Sequence, residues 1–194
     1  MASMNETVID MIKNYPGMIY RNSMSNSLEN NEIIRLIKKL PEDTEVLKIN
    51  SWYCDLDFGI LPRNLKVLYI SSIEFNSSLE NLPDKLECLY IKSCNFNKYI
   101  NNLPVSLKVL CIKSMEFNQE LDNLPKNLEK LVVYVLNKYK HKLNKLPLNI
   151  KELVVSHYYE RLYPSSIIRR WISSDCVLEI DKSNDWKKEN FLDL

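Results

Sequence analysis

Two histidines, five cysteines and two glycines are what this chain of 194 residues offers to the commonest kinds of site chemistry. His141 and His157 are the acid–base candidates, and a histidine acts as one only with a nucleophile or carboxylate in hydrogen-bond reach. Neither has such a group at a sequence spacing that relates the two, so both read as surface histidines. The cysteines are Cys54, Cys88, Cys94, Cys111 and Cys176. They are scattered, form no CxxC pair, and do not assemble the four ligands that a structural zinc site needs. Gly17 and Gly59 are too few and too far apart for a glycine-rich phosphate loop. No pair of carboxylates stands out for acid–base work. The expectation is a chain with no catalytic residues, no metal and no cofactor: not an enzyme.

Composition narrows the setting. A hydrophobic content of 45% suits one folded unit with a core. A net charge of +1 gives no general attraction to nucleic acid or to an anionic membrane. No apolar run approaches the ~20 residues of a membrane span, and the opening "MASMNETVIDMIKNYPGM" lacks the pattern of a secretory signal. An odd number of unpaired cysteines suits a reducing compartment. The expected location is the cytoplasm, with the nucleus as second choice, and not outside the cell.

The elements that would position a site announce themselves by repetition. Leu-Pro falls at Leu40, Leu61, Leu82, Leu103, Leu124 and Leu146, at intervals of 21, 21, 21, 21 and 22 residues. Seven residues after each Leu stand Leu47, Leu68, Leu89, Leu110, Leu131 and Leu153, and nine after it Ile49, Ile70, Ile91, Ile112, Val133 and Val155. Phe-Asn recurs at Phe75-Asn76, Phe96-Asn97 and Phe117-Asn118, with Cys54 in the Phe place of the first copy and Tyr139 in that of the fifth. The segment "LKVLYI" alternates as a strand does, Leu68 and Ile70 inward, Val67 and Tyr69 outward. Proline opens each copy where it owes no ladder hydrogen bond. One copy cannot bury its apolar face alone, so the copies must stack, with parallel strands about 4.8 Å apart.

The unit L-x-x-L-x-I-x-x-[I/C/M]-x-F resembles the leucine-rich repeat signature, with Cys94 where that family often carries Asn or Cys. The short period, the Leu-Pro start and the Phe-Asn pair are similar to FNIP-type repeats, known from social amoebae and some large DNA viruses. Ile73 and Met115 depart from the commoner signature, where Asn braces the turn. The resemblance spans Leu40 to Val155 and implies an α/β leucine-rich-repeat solenoid, a horseshoe with a concave parallel sheet, mostly strand and coil, behind a helical N-terminal cap. Three parts are expected: a helical cap over 1–39, six repeats of about 21 residues over 40–162, and a degenerate repeat with a C-terminal cap over 163–194.

At the ends, Glu6–Lys13 and Asn31–Lys39 have helical apolar spacing, with Ile33, Ile34, Ile37 and Leu40 on one face. "PSSIIRRWISS" reads as a short helix with Pro164 near its start, and "CVLEI" repeats the strand pattern through Leu178 and Ile180. Trp186 and Phe191 are the anchors expected in the last segment.

Five residues after each Leu, Glu45, Lys66, Glu87, Lys108, Glu129 and Lys151 alternate in sign. Stacking sets opposite charges side by side, a register device rather than a reactive site. What remains is the outward strand face, with an apolar centre rimmed by lysines. Val67, Tyr69, Tyr90, Lys92, Val109, Lys113, Val132 and Tyr134 are the candidate partner-binding residues, Tyr being a favoured anchor type. Cys88 and Cys111 lie on this face, diagonally on neighbouring strands. The alternative is that branched and aromatic residues only suit strands, or that a terminal segment folds over them. Six strands and five outward residues give about 400 Å² of flat projection, roughly half of one partner's share of a standard interface. The function expected is non-enzymatic binding of a protein partner, or self-association, through the concave face. A viral protein engaging a host factor is what the FNIP resemblance adds. The second reading is a substrate-recruiting ubiquitin-ligase adaptor docked through its terminal helices.

Overall fold

The computed structural model describes residues 18–21, 28–136 and 139–182. In chain order the elements are β1 (Met18–Arg21), α1 (Leu28–Ile37), β2 (Val46–Ser51), a 3-10 turn (Phe58–Ile60), β3 (Val67–Ser72), β4 (Cys88–Ser93), β5 (Val109–Ser114), β6 (Lys130–Val135), β7 (Glu152–Ser156), α2 (His157–Leu162), α3 (Ser165–Ile168) and β8 (Val177–Asp181). The strands form a single eight-stranded sheet in sequence order, every neighbouring pair parallel. This is a leucine-rich-repeat-like solenoid. Its register is set by the repeat itself: Leu47, Leu68, Leu89, Leu110, Leu131 and Leu153 stand side by side.

Each Leu-Pro opens the turn that feeds the next strand. The proline carbonyl accepts from the backbone N–H three residues on, as in Pro62 to Leu65 (3.1 Å), Pro83 to Leu86 (3.0 Å), Pro104 to Leu107 (3.1 Å) and Pro125 to Leu128 (3.0 Å). Proline fits because its fixed φ suits the turn and it has no N–H to lose. Beyond the strand the chain bends at the Phe. Phe75, Phe96, Phe117 and Tyr139 stack at centroid distances of 5.6, 5.8 and 5.9 Å with nearly parallel rings, the centre of one continuous core. In the first copy Cys54 is buried, but the aromatic contact to Phe75 comes from Phe58 in the 3-10 turn, at 6.2 Å.

Two polar ladders run beside the aromatic one. Asn76 Oδ1 accepts from the Asn97 backbone N–H, and Asn97 Oδ1 from that of Asn118, each at 2.9 Å. Ser93 Oγ donates to the Phe75 carbonyl (2.7 Å) and Ser114 Oγ to the Phe96 carbonyl (2.8 Å). Buried backbone carbonyls at a bend need such partners. Ser93 Oγ also reaches the Ile73 carbonyl (3.1 Å), and Ser114 Oγ accepts from the Glu116 N–H (3.3 Å), so serines brace the turns where Ile73 and Met115 replace the expected Asn.

At the N-terminal side α1 spans Leu28–Ile37, slightly earlier than Asn31–Lys39, and Pro41 explains its end. Ile33 and Ile37 are buried in the core, with Ile34 and Leu40 packed against it. One element there escapes sequence pattern: β1 pairs in register with β2, Met18 beside Leu47. The expected helix Glu6–Lys13, and Trp186 and Phe191, lie outside the described residues. At the other side β8 sets Leu178 beside Leu153 and Ile180 beside Val155, and α3 follows Pro164 as the spacing predicts. The short helix α2 directly after β7, with Ser156 as its N-cap, was not foreseen.

Candidate functional site

The period-2 alternation of each strand puts every second side chain on the concave face, opposite the core. Parallel pairing then makes rows across it. One row runs Val46, Val67, Cys88, Val109, Lys130, Glu152; the next Lys48, Tyr69, Tyr90, Cys111, Val132, Val154; the third Asn50, Ser71, Lys92, Lys113, Tyr134. All eight candidate residues lie in these rows. Tyr69 and Tyr90 stack with ring centroids 4.5 Å apart and 15° between planes. The Lys113 ammonium lies 6.0 Å from the Tyr90 ring centroid, in range for a cation–π contact.

These side chains build a second apolar layer. Val46, Val67, Tyr69 and Cys88 form one cluster with Tyr90 and Val109 against it, and Cys111, Val132 and Val154 form another that also meets Tyr90. Lys130 and Glu152 make an ion pair within it at 2.8 Å, with only 3% of the lysine side chain exposed. The face differs from expectation in one respect: it is only partly open, with Tyr90, Val109 and Lys113 half-buried and the other five candidate residues buried. Tyr69 is 4% exposed, Lys92 4% and Val67 8%. Stacking of Tyr69 on Tyr90 and the close neighbours in each row account for part of this burial. On β8 Val177, in the same row as Val67, is 61% exposed, and its single flanking strand accounts for part of the difference.

The groups read for reactive chemistry stay apart. His141 stands 3.8 Å from Glu120, and its Nε2 is 3.1 Å from the Asn118 carbonyl oxygen. His157 stands 3.9 Å from Glu160, one helical turn along α2. Both carboxylates were missed in sequence: Glu120 lies one coil away and Glu160 needs α2 to be seen. Ser165 Oγ donates to Glu160 (2.9 Å) rather than to the imidazole, which is not the arrangement that activates a serine. Burial holds the Cys54 and Cys176 thiols above their ordinary range. Cys88 is pushed up to about 12, chiefly by burial and then by Cys111. Such thiols are poor nucleophiles at neutral pH. Among the described residues no three His, Cys, Asp or Glu gather as metal ligands, and no helix is long and apolar enough to cross a membrane.

The alternating charges meet as the repeat predicts: Lys66 with Glu45 (2.6 Å), Lys108 with Glu87 (2.7 Å) and Lys151 with Glu129 (2.8 Å). An open recess of about 810 Å³ lies along this ladder between Glu87 and Asp175. Lys108 and Lys151 in its wall pair with Glu87 and Glu129, and Asp175 accepts from Ser174 Oγ (3.1 Å).

No protein-family model and no curated protein matches the chain. Among solved structures it is similar to CroV588, described as a novel circular LRR protein structure, with 25% sequence identity and a TM-score of 0.46. The match covers 60% of this chain and 21% of that one.

Proposed function

We propose that this chain is a non-enzymatic recognition module that binds a segment of a protein partner on the concave face of its parallel sheet. The observation that carries the reading is the second apolar layer. The solenoid core needs only one face of the sheet, yet the other face carries its own apolar clusters, an aromatic stack and set-in lysines. All-parallel sheets with apolar residues on both faces are covered on both faces. Tyr69 and Tyr90 supply rigid aromatic area, Val67, Val109 and Val132 the apolar floor, and Lys92, Lys113 and Tyr134 the polar contacts that fix direction. The FNIP-like Phe-Asn pair favours a viral or amoebal setting and a host factor as partner, acting in the cytoplasm. The parts are a cap over 1–39, repeats over 40–162 and an end unit over 163–194.

The second reading remains a substrate-recruiting ubiquitin-ligase adaptor docked through its terminal helices, of which α1 turns Ile33 and Ile37 into the core. A displayed random-peptide library tests the recognition reading. Peptides selected on the protein should lose binding to a folded Val109→Arg variant, which places a charge in the floor. Peptides that bind both proteins equally, or none selected at all with the face exposed, would reject the concave face as a recognition surface.

A further inference from the structure

A small recess of about 280 Å³ opens on the return segments of two consecutive coils, between each Phe bend and the next Leu-Pro turn. Glu80 and Ser78 line it from one coil, and Lys98, Tyr99, Asn101 and Asn102 from the next. We propose that this recess is a carbohydrate site, which receives one pyranose ring against Tyr99.

The fold does not account for Tyr99. Seventeen residues after the Leu of each Leu-Pro, the first four copies carry Asp57, Ser78, Tyr99 and Glu120, so a polar side chain suffices at this point of the coil. The next residue, Ile100, is buried in the core with Leu79, and the alternation turns Tyr99 outward, where it is 74% exposed. A tyrosine so placed adds little to the core. It presents an aromatic face to which the C–H groups of a saturated ring can pack.

The walls supply both senses of hydrogen bond. Glu80 brings an acceptor carboxylate, Lys98 a donor ammonium, and Asn102 an amide that does both. Among the described residues, none of these three side chains is held by a hydrogen bond or an ion pair, and neither is that of Tyr99. Ser78 Oγ accepts from the Glu80 backbone N–H (3.3 Å), which fixes the backbone that carries the carboxylate. Asn101 Oδ1 accepts from Asn123 Nδ2 (3.5 Å) and keeps its own amide donors. The larger recess between Glu87 and Asp175 differs, since Lys108 and Lys151 there are already paired.

The chemistry of the occupant follows. It must donate to Glu80, accept from Lys98 and do both with Asn102, which a set of hydroxyls does and an apolar molecule does not. It must also offer a face to Tyr99. A hydroxylated six-membered ring meets both needs, its hydroxyls taking the polar edge and its C–H face the phenol ring. Size agrees, because a single sugar is smaller than the drug-sized ligands that fill pockets of about 300–1,000 Å³. One ring in an open site should bind weakly, at about 1–10 mM.

Saturation-transfer NMR on the full chain tests the site. The probes are the methyl glycosides of glucose, mannose and galactose, with free glucose and mannose beside them, each at about 10 mM. At least one should receive saturation and titrate in the range given, while cyclohexylmethanol, a ring of the same size without ring hydroxyls, should not. Free sugars that bind as tightly as their glycosides would support the site with a free sugar as its source; tighter binding of the glycosides would support it with a glycan end. Tyr99→Phe keeps the aromatic face and should bind within about threefold of wild type. Tyr99→Ser, which installs the residue of the preceding coil, should weaken binding about tenfold or more, and Glu80→Gln about threefold. Saturation of none of the sugars would overturn the proposal, as would equal binding by wild type and Tyr99→Ser, or by a sugar and cyclohexylmethanol. So would saturation of glycine and of no sugar, which would assign the recess to a zwitterion held between Glu80 and Lys98.

Discussion

Replacing Tyr139 by Phe should stabilise the protein, although the residue sits at the centre of its core. Its ring ends the aromatic ladder on Phe117 and meets Tyr159 at 5.7 Å, contacts that Phe retains. Its hydroxyl is buried and has no hydrogen-bond partner among the described residues. A buried polar group in that state costs about 1–3 kcal/mol, and partial relaxation suggests recovery of about 1 kcal/mol on its removal. For a chain of this size that is a rise in Tm of roughly 2–4 °C. Tyr159 is the matched control. Its hydroxyl donates to the His141 carbonyl (3.1 Å) and accepts from the Leu143 backbone N–H (3.2 Å). Tyr159→Phe strands both backbone groups and should cost about 1–3 kcal/mol. Calorimetry and urea unfolding at neutral pH on wild type and both variants read the contrast. Equal destabilisation by the two substitutions would refute the reasoning, because it would mean that the Tyr139 hydroxyl is satisfied.

Three further outcomes follow from the same geometry. Burial raises the Tyr139 and Tyr159 phenols above their ordinary 10.0 and the Cys88 thiol from 9.0 to about 12. Each is thus harder to ionise folded than unfolded, so its contribution is complete below the unfolded pKa and is lost as pH rises towards the folded one. In reducing buffer Tm should fall from about pH 9 upwards, and the Tyr139→Phe/Tyr159→Phe double variant should fall less steeply; equal slopes would count against buried phenols as the cause. Glu152→Gln leaves the Lys130 ammonium without its carboxylate and should cost about 3–5 kcal/mol, whereas Lys130→Met/Glu152→Leu should come within about 1–2 kcal/mol of wild type or exceed it. Urea unfolding checks both, and a small loss from Glu152→Gln alone would show that the pair is well solvated. Phe96→Ala removes the ring between Phe75 and Phe117 and should cost about 3–5 kcal/mol; because each coil contacts only its neighbours, hydrogen exchange should report weakening centred on β4 and β5.

What the sequence shows clearly is whatever the repeat multiplies. Leu68, Leu89 and Leu110 fix the register of three strands because each copy states it independently, and Glu87 beside Lys108 follows once that register is known. The serine ladder was equally visible, with Ser51, Ser72, Ser93 and Ser114 at intervals of 21 residues. Its significance was not, since only the bend shows that carbonyls such as those of Phe75 and Phe96 need a donor. Elements stated once are harder. β1 is four residues long and becomes a strand because β2 offers it an edge; α2 has six residues, too few for a helical period to be read.

The concave face illustrates a different limit. Alternation predicts which side chains point away from the core, and all eight candidate residues do so. It predicts nothing about cover, because a cover need not follow the repeat. An apolar row such as Tyr69, Tyr90, Cys111 and Val132 is compatible with an empty binding face and with an occupied one, and both would select the same residue types. Burial also varies across the face: Lys92 is 4% exposed between its strand neighbours, whereas Val177 on the edge strand β8 is 61% exposed. The Val109→Arg contrast therefore tests the face directly, because it changes what the row can receive while leaving the core side chains of β5 in place.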